Sequence, residues 1–334
     1  MALRTRTRII HLGLIATLAL ASAAEAAITD RIKRSFNVAD GGTLTVKTNV
    51  GDVEVVAGSN RGVSVEIIRT AKTTNEKEAR EIFAEAPIEF SQSGNDVRIS
   101  ARRVNESGSF FSFWSNNRMK ARFIVSVPSR YNVNLSTSGG DIKVSDINGE
   151  AELRTSGGDI DLGKISGKIV ASTSGGDVTV AGGGREASLR TSGGDIAIDQ
   201  VGHNLDARTS GGDIRIGAVR GGVVAKTSGG DISIREVLGV VEANSSGGDV
   251  SATIGSQPGG PSRLSTSGGR VVVTLAPAVS VEIDAETSGG TVNSEIPVTT
   301  SGKIGKSSLH GTVNGGGPRL VLRSSGGNIR VRKM

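Results

Sequence analysis

The chain has no cysteine and few aromatic residues, and both absences limit what it can be. Without cysteine there is no disulfide framework, and no lipid anchor can be attached at a cysteine behind a leader peptide. Aromatic residues make up only 3% of 334 residues, and no basic run is interleaved with them as on many nucleic-acid-binding surfaces. The formal charge of +6 is mild for this length, so we expect no nucleic-acid partner.

Motifs of the common enzyme classes are missing as well. The sequence contains no nucleophile elbow, phosphate loop or dinucleotide-binding fingerprint, and its glycine pairs serve turns rather than a strand-to-helix phosphate cradle. His203 and His310 are isolated, which does not favour a catalytic or metal-binding pair. We therefore predict no catalytic residues, no metal ligands, no cofactor and a protein that is not an enzyme.

What the sequence does contain is a repeat of one short motif. Thr-Ser-Gly-Gly-Asp-Ile returns with little change between Thr137 and Val250, at a constant interval of 18 residues. Its serines are Ser138, Ser156, Ser174, Ser192, Ser210, Ser228 and Ser246. Eighteen residues are too few to bury a face alone, but they suffice for one rung of a β-solenoid.

Each repeat holds two stretches in which apolar and mostly polar residues alternate. Ile160-Asp161-Leu162 begins at the last residue of the motif, and Ala151-Glu152-Leu153 precedes the motif. A period of two is typical of a half-buried strand. The sequence therefore predicts an all-β fold: a single-stranded β-solenoid, or β-helix, with 18-residue rungs and two strands per rung.

The motif itself predicts the corner between the two strands. We expect the paired glycines to supply backbone angles with positive φ, and the Asp to cap local backbone N–H groups. Stacked rungs would align these acids in a ladder, flanked by a partial basic column of Arg154, Arg190, Arg208 and Lys226. The ladder consists of Asp141, Asp159, Asp177, Asp195, Asp213, Asp231 and Asp249.

Two other uses of these columns stay open. The aspartates form turns in the favoured interpretation, but the ladder could instead bind cations, because calcium-binding repeats also combine glycine pairs with Asp. Those repeats advance in nine-residue steps and carry a third glycine, which is missing here. The aligned threonines resemble an ice-binding column, although such faces usually need paired Thr-x-Thr columns.

The rest of the chain divides into three predicted regions. Residues 1–26 are typical of a secretory signal peptide, with Arg4, Arg6 and Arg8 before an apolar run and Ala24-Glu25-Ala26 at its end. Residues 27–131 form a predicted β-rich N-terminal cap, with a degenerate rung at residues 44–55 and a short capping helix between Asn75 and Pro87. Residues 132–334 form the β-solenoid repeat domain.

The cap also contains an aromatic loop at residues 107–118. Phe110, Phe111, Phe113 and Trp114 cannot all face one core, so some of them are expected to contact a partner or a membrane surface. At the other end the strict period breaks after Ile254, residues 309–313 suggest a worn rung, and the Ser324 copy is expected to be the last rung.

Three segments resemble the bacterial putative-adhesin family, a β-solenoid domain of unknown function. They are Phe36-Asn37-Val38 with residues 41–46, residues 123–128 leading into Val133 and the motif at 137–142, and residues 273–275 with Pro277, Val281 and the motif at 287–290. The resemblance runs from about residue 36 to the end. It implies a secreted or envelope-associated β-solenoid, and it supplies no catalytic residues.

Together these patterns predict an exported, non-enzymatic binding or structural module of the cell envelope, with the role of an adhesin. The alternatives are a polysaccharide-active β-helix enzyme and a calcium-stabilised secreted repeat protein. We expect a periplasmic or extracellular, cell-surface location and no transmembrane segment once the signal peptide is removed. The expected partner is a cell-envelope component, a glycan or a surface protein.

Overall fold

A computed structural model describes residues 27–58, 62–101, 118–300 and 305–334. Within these residues the chain forms one helix, α1 (Glu76–Ala84), and strands in all other regular segments. The strands of the first half are β1 (Ile28–Phe36), β2 (Thr43–Thr48), β3 (Asp52–Gly58), β4 (Val63–Ala71), β5 (Ile88–Ser93), β6 (Asp96–Ala101), β7 (Met119–Pro128), β8 (Asn132–Ser136), β9 (Ile142–Val144), β10 (Ala151–Arg154), β11 (Ile160–Ile165), β12 (Ile169–Ser172), β13 (Val178–Gly183) and β14 (Ala187–Arg190). Those of the second half are β15 (Ile196–Val201), β16 (Leu205–Arg208), β17 (Ile214–Val219), β18 (Val223–Lys226), β19 (Ile232–Val237), β20 (Val241–Asn244), β21 (Val250–Ile254), β22 (Ser262–Thr266), β23 (Val271–Leu275), β24 (Val281–Thr287), β25 (Val292–Ser294), β26 (Thr299–Thr300), β27 (Ser308–Val313), β28 (Arg319–Ser324) and β29 (Ile329–Lys333).

The strands form two sheets that face each other. Sheet A has the spatial order β1-β4-β7-β3-β9-β11-β13-β15-β17-β19-β21-β23-β29-β25. Sheet B has the order β26-β27-β24-β28-β22-β20-β18-β16-β14-β12-β10-β8-β2-β6-β5. From β8 to β23 the chain alternates between the sheets, and strands neighbouring within a sheet are parallel. The all-β, solenoid-like prediction of repeating parallel strands is confirmed.

The repeat fixes which residues stack. Ile160 pairs with Ile142 on one side and Val178 on the other, each 18 residues away. All three are fully buried, whereas Asp161 between the inward positions is exposed. One continuous apolar core runs between the sheets from Val38 to Val331, because the stacked strands of the repeats turn alternate side chains inward.

Two kinds of corner connect the strands of the two sheets. The motif corner, for example residues 155–159, leads from a sheet B strand to the following sheet A strand. The return corner, for example residues 166–168, leads back to sheet B. A sheet B strand and the sheet A strand after it are called a strand pair.

At the N-terminal end the strand pairs are not stacked in chain order. The pair β2–β3 lies between β6–β7 and β8–β9, parallel to both. Residues 44–55, predicted as a degenerate rung, thus contribute a strand pair that is stacked in parallel with two others. Both regions predicted as cap and repeat domain contribute strands to the same two sheets.

The C-terminal end shows the same exception. The pair β28–β29, which carries the Ser324 copy, lies between β22–β23 and β24–β25. The Ser324 copy is the last in the chain, but it does not lie at the end of the stack of strands. The expectation that it is the last rung is therefore wrong. Residues 309–313 are not a worn rung either, because β27 is antiparallel to β24.

The predicted helix is confirmed as α1. The Asn75 side chain accepts hydrogen bonds from the backbone N–H groups of Lys77 and Glu78, which caps its first turn. Ala79 and Ile82 pack with Ala71 in a small cluster of their own. The helix links β4 of sheet A to β5, the edge strand of sheet B. In the described part of the chain, α1 does not approach the length and apolar character of a membrane span.

Candidate functional site

The motif threonines form a buried column at the C-terminal ends of the sheet B strands. Thr155 and Thr173 are each 7% exposed. Thr155 Oγ1 donates to the carbonyl oxygen of Gly140 over 2.9 Å, and Thr173 Oγ1 donates to Gly158 over 2.8 Å. The same bond to the preceding repeat recurs at Thr191, Thr209, Thr227 and Ser245. These hydroxyls are already used inside the corner, so the column cannot act as an ice-binding face.

The second glycine of each motif is required by contact with the neighbouring repeat. A Cβ at Gly158 would lie 2.1 Å from the carbonyl oxygen of Gly140, whereas a Cβ at Gly157 would meet nothing closer than 3.7 Å. The expected positive φ is wrong, because none of these motif glycines is among the residues with positive φ. The corner needs glycine for close stacking and not for an unusual backbone conformation.

The seven aspartates form a line through the motif corners, directly before the sheet A strands. Each carboxylate accepts a hydrogen bond from the next repeat. Oδ1 of Asp141 accepts the backbone N–H of Asp159 over 2.9 Å, and Oδ1 of Asp159 accepts that of Asp177 over 2.8 Å. The series continues through Asp195, Asp213, Asp231 and Asp249 to Arg270. The predicted local cap is replaced by a bond between repeats.

Two arginines offset part of the charge of this ladder. Arg215 contacts Asp195 at 2.9 Å and Asp213 at 2.6 Å, and Arg270 contacts Asp249 at 2.6 Å. The Asp213 backbone N–H, and after it the Arg215 guanidinium, holds the pKa of Asp195 below its ordinary value. The hydrogen bond from Arg270 likewise lowers the pKa of Asp249.

The basic column predicted beside the ladder has other partners. Arg154 pairs with Glu152, Arg190 and Arg208 share Asp206, and Lys226 pairs with Glu242. Both members of each pair lie on the outer face of sheet B, whereas the aspartates begin sheet A on the other side of the corner. The expectation that this column neutralises the ladder is therefore wrong.

The ladder does not assemble a recognisable metal centre. Across residues 27–58, 62–101, 118–300 and 305–334, no three His, Cys, Asp or Glu side chains converge as metal ligands would. Each motif aspartate from Asp141 to Asp249 accepts a backbone N–H of the next repeat with Oδ1, and Oδ2 of Asp195, Asp213 and Asp249 contacts an arginine.

One cluster of charged residues, around Asp284, was not predicted from the sequence. Asp284 points to the outer face of sheet B, yet its side chain is only 6% exposed. Arg319 and Arg323 both contact its Oδ2, and His310 Nδ1 lies 3.2 Å from Oδ1. The hydrogen bond from Arg323, and then that from Arg319, lowers the pKa of Asp284. Sequence periodicity places Asp284 on a solvent face, and the side chains of the two strands that flank β24, β27 and β28, cover it.

Phe110, Phe111, Phe113 and Trp114 lie outside the described residues. Their role as a contact to a partner or a membrane therefore stays a prediction.

Comparison with known proteins identifies a family but no characterised relative. The profile of the Toastrack DUF4097 family matches residues 42–228, more than half of the chain. This range includes five complete copies of the motif, at residues 137–142 and at every eighteenth position after them up to 214. A search of curated proteins found no match to this chain.

Solved structures with a similar arrangement are distant. A putative cell adhesion protein from Clostridium sporogenes has 13% identity and a TM-score of 0.26, covering 92% of this chain and 100% of that one. A putative adhesin from Bacteroides fragilis has 12% identity and a TM-score of 0.37, covering 90% and 97%. A putative lipid binding protein from Parabacteroides distasonis has 15% identity and a TM-score of 0.40, covering 90% and 96%.

All three TM-scores are below 0.5, so nothing about the function of this chain follows from these similarities. The family match stands on its own, and the resemblance found in the sequence is confirmed by it. This chain belongs to the Toastrack DUF4097 family.

Proposed function

We propose that the protein is an exported, non-enzymatic β-solenoid that acts as a binding or structural module of the cell envelope, in the manner of an adhesin. In this proposal each 18-residue repeat is one rung with two strands, and α1 caps the N-terminal end. The leader-like residues 1–26 support export to the periplasm or the cell surface.

The observation that carries the proposal is the alignment of outward-facing side chains into straight rows. On sheet B, Arg154, Ser172, Arg190, Arg208 and Lys226 occupy equivalent positions on five successive strands. Beside them, the motif serines from Ser156 to Ser228 are exposed at every repeat. Neighbouring strands lie about 4.8 Å apart, so the same chemistry returns at a fixed short spacing. A surface of this kind can contact a polymer or another surface at many points, and weak contacts then add up.

A structural role for the aspartate ladder supports a non-enzymatic protein. A general acid or base needs a carboxyl group that is available to substrate, but here one oxygen of each aspartate holds a backbone N–H. The same bonds support ordered turns without calcium. Neither a polysaccharide-cleaving enzyme nor a calcium-stabilised repeat is favoured by a specific observation in the described residues.

Cosedimentation with cell-envelope fractions tests the proposal. We expect the purified mature protein to sediment with at least one of three fractions: peptidoglycan, outer membrane or capsular glycan. We also expect the polysaccharides to be recovered without new reducing ends. If the protein sediments with none of the three fractions, the binding role is refuted. Release of new reducing ends would refute the non-enzymatic role. Fractionation of cells that express the full chain checks the location.

A further inference from the structure

The two ends of the sheets differ in the length of their terminal strands. At the N-terminal end, sheet A ends in β1, which has nine residues, and sheet B ends in β5, which has six. At the C-terminal end, the terminal strands β25 and β26 have only three and two residues. Short terminal strands protect a sheet against pairing with another chain. Of the two described ends, the C-terminal one alone has this protection.

Strand β1 has one edge without a neighbouring strand. It pairs with β4 from Ile28 to Phe36 in antiparallel register. Among the strands that the structure describes, none pairs with its other edge. This edge is about 30 Å long, and alternate residues along it direct their backbone N–H and C=O groups away from β4. The edge is therefore a template for one more antiparallel strand.

The apolar core is also incompletely covered at this end. Helix α1 covers the side beside Ile28, which packs against the cluster that the helix forms. Further along β1, Ile32 and Phe36 pack against the main core but are only half-buried. By contrast, Ile67, the partner of Ile32 on β4, is fully buried. One more strand beside β1 would bury Ile32 and Phe36 more completely.

The inward side of β1 is complementary to itself when two copies pair antiparallel about Ile32. In that register Ile28 of one copy lies opposite Phe36 of the second copy, and Ile32 lies opposite Ile32. Asp30 lies opposite Arg34 of the second copy, and the symmetry produces this pair twice. Residues directly opposite each other on one face interact, and opposite charges there are favourable.

The two charged groups of this register are available for a contact between copies. Arg69 directs both Nε and Nη2 at Oδ2 of Asp30, the former over 3.1 Å, so Oδ1 remains as an acceptor. Arg34 is exposed, and its guanidinium lies 5.9 Å from the ring centre of Phe90. Among the described residues, no carboxylate forms an ion pair with Arg34. A second copy would supply that carboxylate.

One outward pair opposes the same register. Arg31 of one copy lies opposite Lys33 of the second copy, and like charges in that position repel. Within each copy Glu66 lies 3.4 Å from Arg31 and 3.5 Å from Lys33, which offsets part of the repulsion. The pair therefore weakens the association without preventing it, and it allows a test of the register.

We propose that two copies of this chain associate through β1, in antiparallel register about Ile32, as a closed dimer with two-fold symmetry. Sheet A continues from one copy into the other, and the half-buried side chains of the two β1 strands cover each other. Because the contact uses the same strand of both copies, it closes on itself and does not build a filament. This interface goes beyond the proposed function and does not depend on it.

Sedimentation equilibrium of the mature protein, from about 1 µM to about 500 µM, tests the dimer. We expect a reversible equilibrium between monomer and dimer with a dissociation constant on the order of 10 µM. Arg34→Gln should weaken the dimer by about five-fold, because both pairs with Asp30 are lost. Lys33→Gln, the matched control, removes the same charge from the adjacent residue and should strengthen it by about two-fold. A general loss of charge repulsion would strengthen both variants.

Cysteine cross-linking tests the register, because the chain has no cysteine of its own. Thr29 lies opposite Ser35 of the second copy, and both residues are exposed. Opposed residues are close enough for a disulfide, so the double variant Thr29→Cys and Ser35→Cys should form covalent dimers on oxidation. Each single variant should not, because its two cysteines would be about 20 Å apart.

Melting curves by circular dichroism establish that each variant is folded. A chain that stays monomeric at every concentration, or assemblies that grow beyond the dimer, would overturn the proposal. So would unchanged or tighter association of folded Arg34→Gln, weaker association of folded Lys33→Gln, or equal cross-linking of the single and double variants. Binding to envelope fractions is a separate measurement, so either result can fail without the other.

Discussion

The motif corner and the return corner join the same strands but differ in how much variation they accept. At the motif corner, the second glycine stands at an identical position in each repeat, and a Cβ there would lie 2.1–2.2 Å from the preceding repeat in the copies at 158, 176 and 194. At the return corner, the glycine that closely approaches the preceding repeat does not keep one position within the 18-residue repeat. Gly184 lies one position earlier in its repeat than Gly167 does, and Gly221 lies one position later than Gly184 does. The insertion at residues 255–261 lies at a return corner too.

The difference follows from the ladders that pass through only one corner. Thr155 and Asp159 each bond to a neighbouring repeat, so any shift of the chain by one residue at the motif corner would break both bonds. The return corner has scattered side-chain bonds, such as Gly222 N–H to Asn204 Oδ1, but no continuous ladder. Side-chain ladders therefore fix the motif, and a corner without them can vary in sequence and in length.

Adding one methyl group at the motif corner should have the largest effect. Gly158→Ala places Cβ against the Gly140 carbonyl, and because backbone must move, we expect a loss of about 3 kcal/mol in the free energy of unfolding. Gly157→Ala is the matched control, since its Cβ meets only ordinary contacts, and should change stability by less than about 0.5 kcal/mol. Urea unfolding measures both. Equal effects at the two positions would contradict the stacking explanation.

Removing one carboxylate from the ladder should have a smaller effect. Asp177→Ala leaves the Asp195 N–H without its 2.7 Å acceptor, and we expect a loss of about 1 kcal/mol. Asp177→Asn keeps an acceptor oxygen and should be nearly neutral. The chain contains its own precedent, because Asn328 Oδ1 accepts the Thr291 N–H over 2.8 Å. If Asn destabilises as much as Ala, charge rather than hydrogen bonding holds the ladder.

Acid should weaken the structure through the paired carboxylates. The pKa values of Asp195, Asp249 and Asp284 are lowered in the folded protein, so their contribution is present above the unfolded value and lost as pH falls through the folded values. We expect a constant melting temperature above about pH 5 and a decline below about pH 4. Arg270→Leu removes the partner of Asp249, so its difference from the wild type should shrink in acid. A difference that grows in acid would show that the sign is wrong.

Chelation should have the smallest effect of all. Because the ladder is held by backbone N–H groups, we expect the same melting temperature with excess EDTA and with added calcium. A rise with calcium that EDTA reverses would favour the calcium alternative. Asp177→Asn should then lose that rise, which would identify the ladder as its source.

Sequence reasoning predicted the stacked parallel strands because the period and the alternation of residues such as Ile160, Asp161 and Leu162 are local signals. It was wrong about the backbone conformation of the glycine pairs and about the partners of the basic column. Whether Gly158 needs positive φ or close stacking depends on the distance to Gly140, and that distance belongs to the assembled sheets. Likewise, the partner of Arg190 is decided by its place on the outer face of sheet B, where Asp206 lies on the neighbouring strand.

The sequence by itself determined the period, the inward residues and the two-sheet arrangement, because each of these depends on residues within one repeat and its copies. Only the tertiary structure decided the order of strand pairs at the two ends, where β2–β3 and β28–β29 are each enclosed by pairs that are distant in the chain. Worn repeats such as these have similar apolar patterns, so several stacking orders satisfy the same local rules. The order that forms is the one whose long-range contacts, such as Asp284 with Arg319 and Arg323, bury the enclosed strands on both sides.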